Sequence, residues 1–157
     1  MKIVGVDPHA SRPYGWALIE LQFKGSPLLR VVDYGDAEFE RMVRIANGAD
    51  ETVIEDPYLY RNFKTAKELI RSAANLEGAL RYERFTKVVW MNPATWQATV
   101  IGRAARGKEA RERVMRLQAE DLTKQFVKQK DLTDDEVDAI LIAYVRAMEV
   151  YSQYRQT

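Results

Sequence analysis

Short apolar runs bounded by turn residues dominate the first third of the chain. Lys2 to Val6 is ended by Asp7-Pro8, and a residue before proline is driven to extended geometry, so the run reads as a strand entering a turn. Tyr14 to Phe23 (YGWALIELQF) and Leu28 to Tyr34 (LLRVVDY) are two more strands, separated by the turn material Lys24-Gly25-Ser26-Pro27. Three successive strands with short links make an antiparallel meander. A short helix is predicted over Ala37 to Asn47, and Thr52 to Ile54 begins a strand that stops at Asp56-Pro57. Lys64 to Arg84 is helical by propensity and pattern, and Lys87 to Met91 (KVVWM) is a fifth strand stopped by Asn92-Pro93. Pro93 suits the first position of a helix running to about Ile101. After an Arg-, Ala- and Gly-rich loop from Gly102 to Gly107 come a long charged helix, Lys108 to Lys130, and a last one, Asp134 to Gln153.

This order predicts an α/β fold. Three antiparallel strands followed by parallel ones form a mixed five-stranded sheet with helices on both faces. No internal repeat, low-complexity tract or linker divides the chain, so residues 1–157 read as one domain. With 46% hydrophobic residues the chain has enough apolar surface for a core. No run approaches the roughly 18 apolar residues of a membrane helix, and the opening MKIVGVDPHAS lacks the basic-then-apolar pattern of a secretory signal. A cytoplasmic protein with no membrane partner is the expectation.

Composition narrows the chemistry. There is no Cys, which excludes disulfides, thiolate zinc sites and a Cys nucleophile, and the single His, His9, excludes any poly-His metal site. A metal held here is held by oxygen, which selects Mg²⁺ or Mn²⁺. The net charge of +1 conceals an asymmetry: Tyr58 to Lys130 carries 16 basic residues against 7 acidic, and the rest of the chain 8 against 16. A basic middle on an acidic chain points to a surface that meets a polyanion, although long surface helices also carry Lys and Arg for solubility. Tyr58, Tyr60, Phe63, Tyr82 and Phe85 interleave with it, as base stacking or core packing would require.

Three groups of carboxylates sit beside apolar sequence, where an isolated acid is costly to bury. Strand side chains alternate, so Ile3, Gly5 and Asp7 share a face, with Gly5 leaving space beside Asp7. Asp7 either serves that space or simply opens the Asp-Pro turn. Val53-Ile54-Glu55-Asp56-Pro57 delivers two acids at a strand end, on opposite faces, so only one of them is able to join Asp7; a solvated strand end is the plain alternative. In open α/β sheets ligands gather at the carboxyl ends of strands. The third group is Thr133-Asp134-Asp135-Glu136-Val137-Asp138. Thr133 and Glu136 form a capping box that, with the helix dipole, accounts for the acids of the first turn. It does not account for Asp138. At about 100° per residue Asp138 borders the stripe Val137, Ile140, Leu141, Tyr144, Val145 and Met148, and Asp135 lies one turn earlier on the same side. Four oxygen donors without nitrogen or sulfur are an inventory for two Mg²⁺ ions about 4 Å apart, the arrangement that serves phosphodiester hydrolysis.

These residues resemble the RuvC-type Holliday-junction resolvases of the ribonuclease H-like superfamily. The resemblance rests on Ile3-Val4-Gly5-Val6-Asp7-Pro8 with Tyr14-Gly15-Trp16-Ala17, on Val53-Ile54-Glu55, and on Asp135-Glu136-Val137-Asp138-Ala139, in an order that covers nearly the whole chain. It implies a ribonuclease H-like fold and four catalytic metal-binding acids, Asp7, Glu55, Asp135 and Asp138, holding two Mg²⁺ ions with Mn²⁺ able to substitute. It makes Lys108 the lysine that assists at the scissile phosphate, although an ordinary helix-start lysine would look the same. By offset, Tyr58 matches the family's base-stacking aromatic, with Tyr60 or Phe63 as substitutes. His9 stands where the family usually has Gly, and Asp56 where a small or polar residue is usual, which marks a divergent member of the kind a phage encodes. Either departure bears on the site: His9 touches phosphate or fills the turn, and Asp56 competes with Glu55.

The function so implied is Mg²⁺-dependent cutting of four-way DNA junctions, leaving 5′-phosphate and 3′-hydroxyl ends, by a homodimer whose two sites cut two strands. Leu69 to Leu80 supplies apolar positions for the contact between copies, and Arg61, Lys64, Arg103, Arg106, Lys108, Arg111 and Arg113 grip phosphates. Two other readings stay open: a ribonuclease H-like enzyme acting on RNA–DNA hybrid or structured RNA, and a nucleic-acid-binding module without catalysis. An actin-like or sugar-kinase ATPase needs two such domains and Gly-rich loops that 157 residues with 8 Gly do not supply. All the nuclease readings require Asp7 and Asp138 to meet.

Overall fold

The computed structural model describes residues 1–23, 28–57, 63–102, 105–126 and 131–156, Phe63 in its backbone only. The elements are β1 (Lys2–Asp7), β2 (Tyr14–Gln22), β3 (Leu28–Ala37), α1 (Phe39–Asn47), β4 (Glu51–Glu55), α2 (Phe63–Glu83), β5 (Lys87–Met91), α3 (Pro93–Ile101), α4 (Lys108–Thr123) and α5 (Asp134–Gln156). The strands form one sheet in the order β3-β2-β1-β4-β5. β2 is antiparallel to both β1 and β3, whereas β4 is parallel to β1 and β5 parallel to β4. This is the mixed sheet that the order of apolar runs predicts. The turn expected at 24–27 lies outside the described residues.

Both faces of the sheet are covered, and β1, at its centre, serves both cores by simple alternation. Val4 and Val6 pack with Met42, Val43 and Ala46 of α1 and with Ala73, Leu76 and Leu80 of α2. Ile3 packs on the other side with Ala17, Ile19, Val53 and the apolar face of α5, to which α3 adds Trp96 and α4 adds Ala119. Each fully buried Ile or Leu contributes about 2 kcal/mol of hydrophobic stabilisation.

The seating of α5 is decided by two glycines. A Cβ on Gly5 would stand 2.4 Å from the carbonyl oxygen of Ala139 and 2.7 Å from the amide nitrogen of Ala143. A Cβ on Gly15 would stand 2.6 Å from the carbonyl oxygen of Asp135. Gly5 therefore does more than leave room beside Asp7: together the two let the helix backbone rest on β1 and β2 without a side chain between them. The start of α5 is locked by the predicted capping box, in which the Glu136 amide donates to Thr133 Oγ1 at 3.1 Å and the Thr133 amide to Glu136 Oε2 at 2.9 Å.

Three expectations are corrected. The charged helix α4 ends at Thr123, not Lys130. Beyond it the chain turns, and Gln125 Nε2 donates to the Val31 carbonyl of β3 at 2.9 Å while Phe126 packs edge-on against Tyr34; contacts with the sheet edge replace further helical turns. On α5, Met148 is exposed, whereas Ala139, Ile142, Ala143 and Ala147 are buried, because the helix rests on β1 at Ala139 and Ala143 and is also flanked by α3 and α4, so its covered face is wider than one stripe. Of the apolar positions between 69 and 80, Ala73, Leu76 and Leu80 belong to the chain's own core, which leaves Ile70 and Ala74 exposed and Leu69 and Ala79 half-buried for any contact between copies. No helix among the described residues is long and apolar enough to cross a membrane.

Gly5→Ala and Gly15→Ala are each expected to destabilise the protein by about 3 kcal/mol, since the new methyl meets helix backbone that cannot rotate away. Gly78→Ala, with nothing within 4 Å of the added carbon, is expected to stabilise it by about 1 kcal/mol through helix propensity. Urea unfolding of the three variants measures both, and a tolerated Gly5→Ala would remove this account of how α5 is placed.

Candidate metal and nucleic-acid site

The first two acids are neighbours by strand register. Gly5 pairs with Val53 and Val6 with Ile54 in the parallel β1–β4 ladder, and the next residues along are Asp7 and Glu55. On the other side of β1, Asp7 pairs with Gly15, the residue on which Asp135 rests. Asp138 follows one turn later on the same side of α5. Three elements thus bring Asp7, Glu55, Asp135 and Asp138 to one end of the sheet, at the carboxyl ends of β1 and β4.

The electrostatics follow from this placement. Burial pushes the Asp7 carboxyl well above its ordinary range, and the charges of Glu55, Asp138 and Asp135 push it further, against a smaller opposing effect of Arg12. Asp138 is raised to about 7, first by burial and then by Glu55, Asp134 and Asp135, with Arg116 opposing. Glu55 is raised by burial and by Asp56, while a hydrogen bond from Trp96 works the other way. Asp56 itself is exposed, so Glu55 is the strand-end acid that joins Asp7.

Glu55 and Asp135 also have protein partners close by. The Trp96 indole Nε1–H donates to Glu55 Oε2 at 2.7 Å. His9 Nε2 lies 3.3 Å from Asp135 Oδ1, and Arg12 Nη1 lies 4.0 Å from Asp135 Oδ2. Arg116 holds the neighbouring Asp134 at 2.6 Å and donates to the Leu132 carbonyl at 2.7 Å, which ties α4 to the start of α5. Among the described residues no three Asp, Glu or His side chains stand in a ligating arrangement. The donor set is nonetheless the hard, anionic, all-oxygen kind that suits Mg²⁺ or Mn²⁺, and the raised carboxyls of Asp7 and Asp138 are what a nearby cation would relieve.

A cleft of about 830 Å³ opens beside the acids, between α3, α4 and the first turns of α5. Asp138 lines it, as do Lys108, Arg111, Arg113 and Arg116. Lys108, at the start of α4, is exposed and pairs weakly with Glu112 at 3.8 Å. Of the other basic residues singled out, Lys64 and Arg106 are exposed. Tyr58, Tyr60, Arg61 and Arg103 lie outside the described residues, as does the side chain of Phe63.

No protein-family model matches the chain, and no curated protein matches it by sequence. Solved structures do. It is similar to Thermus thermophilus RuvC with a TM-score of 0.71 and 16% identity, over 98% of this chain and 96% of that one. The same values hold for T. thermophilus RuvC in complex with Holliday junction substrate. The yeast mitochondrial Holliday junction resolvase aligns with a TM-score of 0.56 and 12% identity, over 98% of this chain and 81% of that one. The fold is that of RuvC.

Within this RuvC fold, sequence reasoning missed Trp96, Arg12 and Arg116 and treated His9 as a turn residue as readily as a site residue. Trp96 lies 41 residues from Glu55, and Arg116 lies 18 from Asp134. Nothing local marks either pairing. His9 and Arg12 did carry a signal: they are the only basic residues in the loop that leaves Asp7.

The raised carboxyl of Asp138 sets a pH dependence. Unfolded, it titrates near 3.8, and folded, near 7. Between those values the folded chain holds the extra proton, so this contribution to stability is full at the acid end and lost as pH rises. In a chelating buffer, the melting temperature of Asp138→Asn minus that of wild type is expected to climb from pH 4 to pH 7 and then level off. A flat difference across that window would contradict the burial of Asp138 among other acids.

Proposed function

We propose that this protein is a Mg²⁺-dependent endonuclease that resolves four-way DNA junctions, working as a homodimer and leaving 5′-phosphate and 3′-hydroxyl ends. The observation that carries the proposal is the set of four carboxylates from β1, β4 and α5, electrostatically coupled at one end of a RuvC fold and bordered by a basic cleft. The similarity to a RuvC in complex with Holliday junction substrate supports the choice of branched DNA.

In this reading Asp7, Glu55, Asp135 and Asp138 hold two Mg²⁺ ions, or Mn²⁺ in their place. When bound, the metals supply neutralisation of the attacking and leaving oxygens and make the attacking water more acidic. Asp7, on the central strand, feels all three other acids. Lys108 approaches the scissile phosphate from the start of α4, and Arg111 and Arg113 hold the backbone on either side. Trading one surface ion pair for a phosphate costs Lys108 little, because its bond to Glu112 is long and exposed. Two strands need two sites, and the exposed Ile70 on the outer side of α2 supplies the apolar position for the twofold contact.

A labelled immobile junction, an RNA–DNA hybrid duplex and a hairpin RNA, each with and without Mg²⁺, test the assignment. Cutting of the junction is expected to need metal and to exceed cutting of the other two. Asp7→Asn, Glu55→Gln and Asp138→Asn are each expected to slow it by about a thousandfold while sparing binding. Wild-type rates in all three would sink the metal assignment, and preference for the hybrid would move the substrate to RNA–DNA.

The cleft makes a separate claim. Arg111→Ala is expected to weaken junction binding regardless of sequence and to reduce the slope of log affinity against log salt by about 1. An unchanged slope, read from binding at several salt concentrations, would take Arg111 off the phosphate path.

A further inference from the structure

Trp96 is the largest fully buried side chain among the described residues, yet its one polar side-chain atom is aimed out of the core at a carboxylate. Its position is fixed from three sides. Asn92 caps α3, with Oδ1 accepting from the Ala94 amide at 2.9 Å, Pro93 sets the first turn, and the Trp96 amide closes on the Asn92 carbonyl at 3.2 Å. The ring itself is enclosed in the core under α5. Glu55 is pinned only in its backbone: it pairs with Met91 of β5, and the Asp56 amide donates to the Met91 carbonyl at 2.9 Å. Three side-chain torsions separate that backbone from the carboxylate, and the strand restrains none of them fully.

We infer that Trp96 is a positioning residue for Glu55. On the metal reading above, from which this role follows, the indole holds Oε2 by its N–H and leaves Oε1 for a divalent cation. An indole nitrogen is a donor only and binds no cation itself, so it orients the acid without competing for the ion. Oε1 has no hydrogen bond among the described residues. Groups that orient metal ligands in this way typically change metal affinity by about 10- to 100-fold when removed. The chain's other two tryptophans serve as internal controls. Trp90 Nε1 donates to Glu77 Oε1 at 3.0 Å, in contact with the core under α1 and α2, and Trp16 Nε1 has no hydrogen-bond partner among the described residues.

The experiment follows the three indole N–H resonances by ¹H–¹⁵N correlation while Mg²⁺ is added, alongside junction cleavage at varied Mg²⁺. In wild type the Trp96 resonance is expected to move with Mg²⁺ while those of Trp16 and Trp90 stay, and in Glu55→Gln it is expected to start elsewhere and not respond. Trp96→Phe is expected to raise the Mg²⁺ concentration for half-maximal cleavage about tenfold or more, with a near-normal rate at saturating Mg²⁺. Should Trp96→Phe fail to fold, 3-benzothienylalanine at position 96 keeps the ring's size and replaces only the N–H. A wild-type Mg²⁺ midpoint in that variant, or a Trp96 resonance that ignores Mg²⁺ while backbone amides near Asp7 respond, overturns the inference and leaves the metal site standing. If no resonance of the wild type responds and no junction is cut, both fall.

Discussion

The close approach of α5 to β1 and β2 is the constraint on which the rest depends. Helix backbone rests directly on sheet backbone at Gly5 and Gly15, with no side chain on the strand to hold the layers apart. That contact sets the height and the register of the helix together. Because Gly15 is both the strand partner of Asp7 and the seat of Asp135, the packing that completes the core also delivers α5's acids to the acids of the sheet. The capping box at Thr133 and Glu136 fixes where the helix starts, so Asp138 falls one turn in, beside the cleft.

The two ends of β4 show what this arrangement costs. Glu51 and Glu55 lie on one strand and point to one face, under the same helix. At Glu51 burial works against the charge, but bonds from Arg146 at 2.8 Å and Lys87 at 3.0 Å prevail and hold its carboxyl below the ordinary value. At Glu55 the one donor is a neutral indole, the neighbouring charges are acids, and the carboxyl is raised. A buried acid with matched cations is stabilised in its charged form, whereas buried acids facing one another lower stability, a cost that a bound cation would offset. The same contrast divides the cations. Arg146 is buried in its pairing, whereas Lys108, Arg111 and Arg113 line an open cleft where a polyanion has access.

Much of this was legible in the order of residues. Ile3, Gly5 and Asp7 on one face of a strand, Glu55 at a strand end, and Asp135 and Asp138 one turn apart all follow from the fixed periods of strand and helix, and each element formed within a few residues of its predicted bounds apart from the end of α4. The segregation of basic residues into the middle of the chain foreshadowed the cleft along that helix. Its length was not legible: nothing in the charged sequence after Thr123 says that Gln125 and Phe126 bind β3 better than they extend a helix.

What the sequence determined by itself is therefore the set of faces: which side of each strand and helix is apolar, and which acids interrupt it. Backbone stereochemistry dictates those faces one element at a time. Who stands opposite an acid was decided only in the tertiary structure, where Trp96, His9, Arg12 and Arg116 meet Glu55, Asp135 and Asp134 from other elements and loops. Such pairings depend on how layers stack and how far apart they rest, and that distance is settled by the whole core at once rather than by any local run of residues.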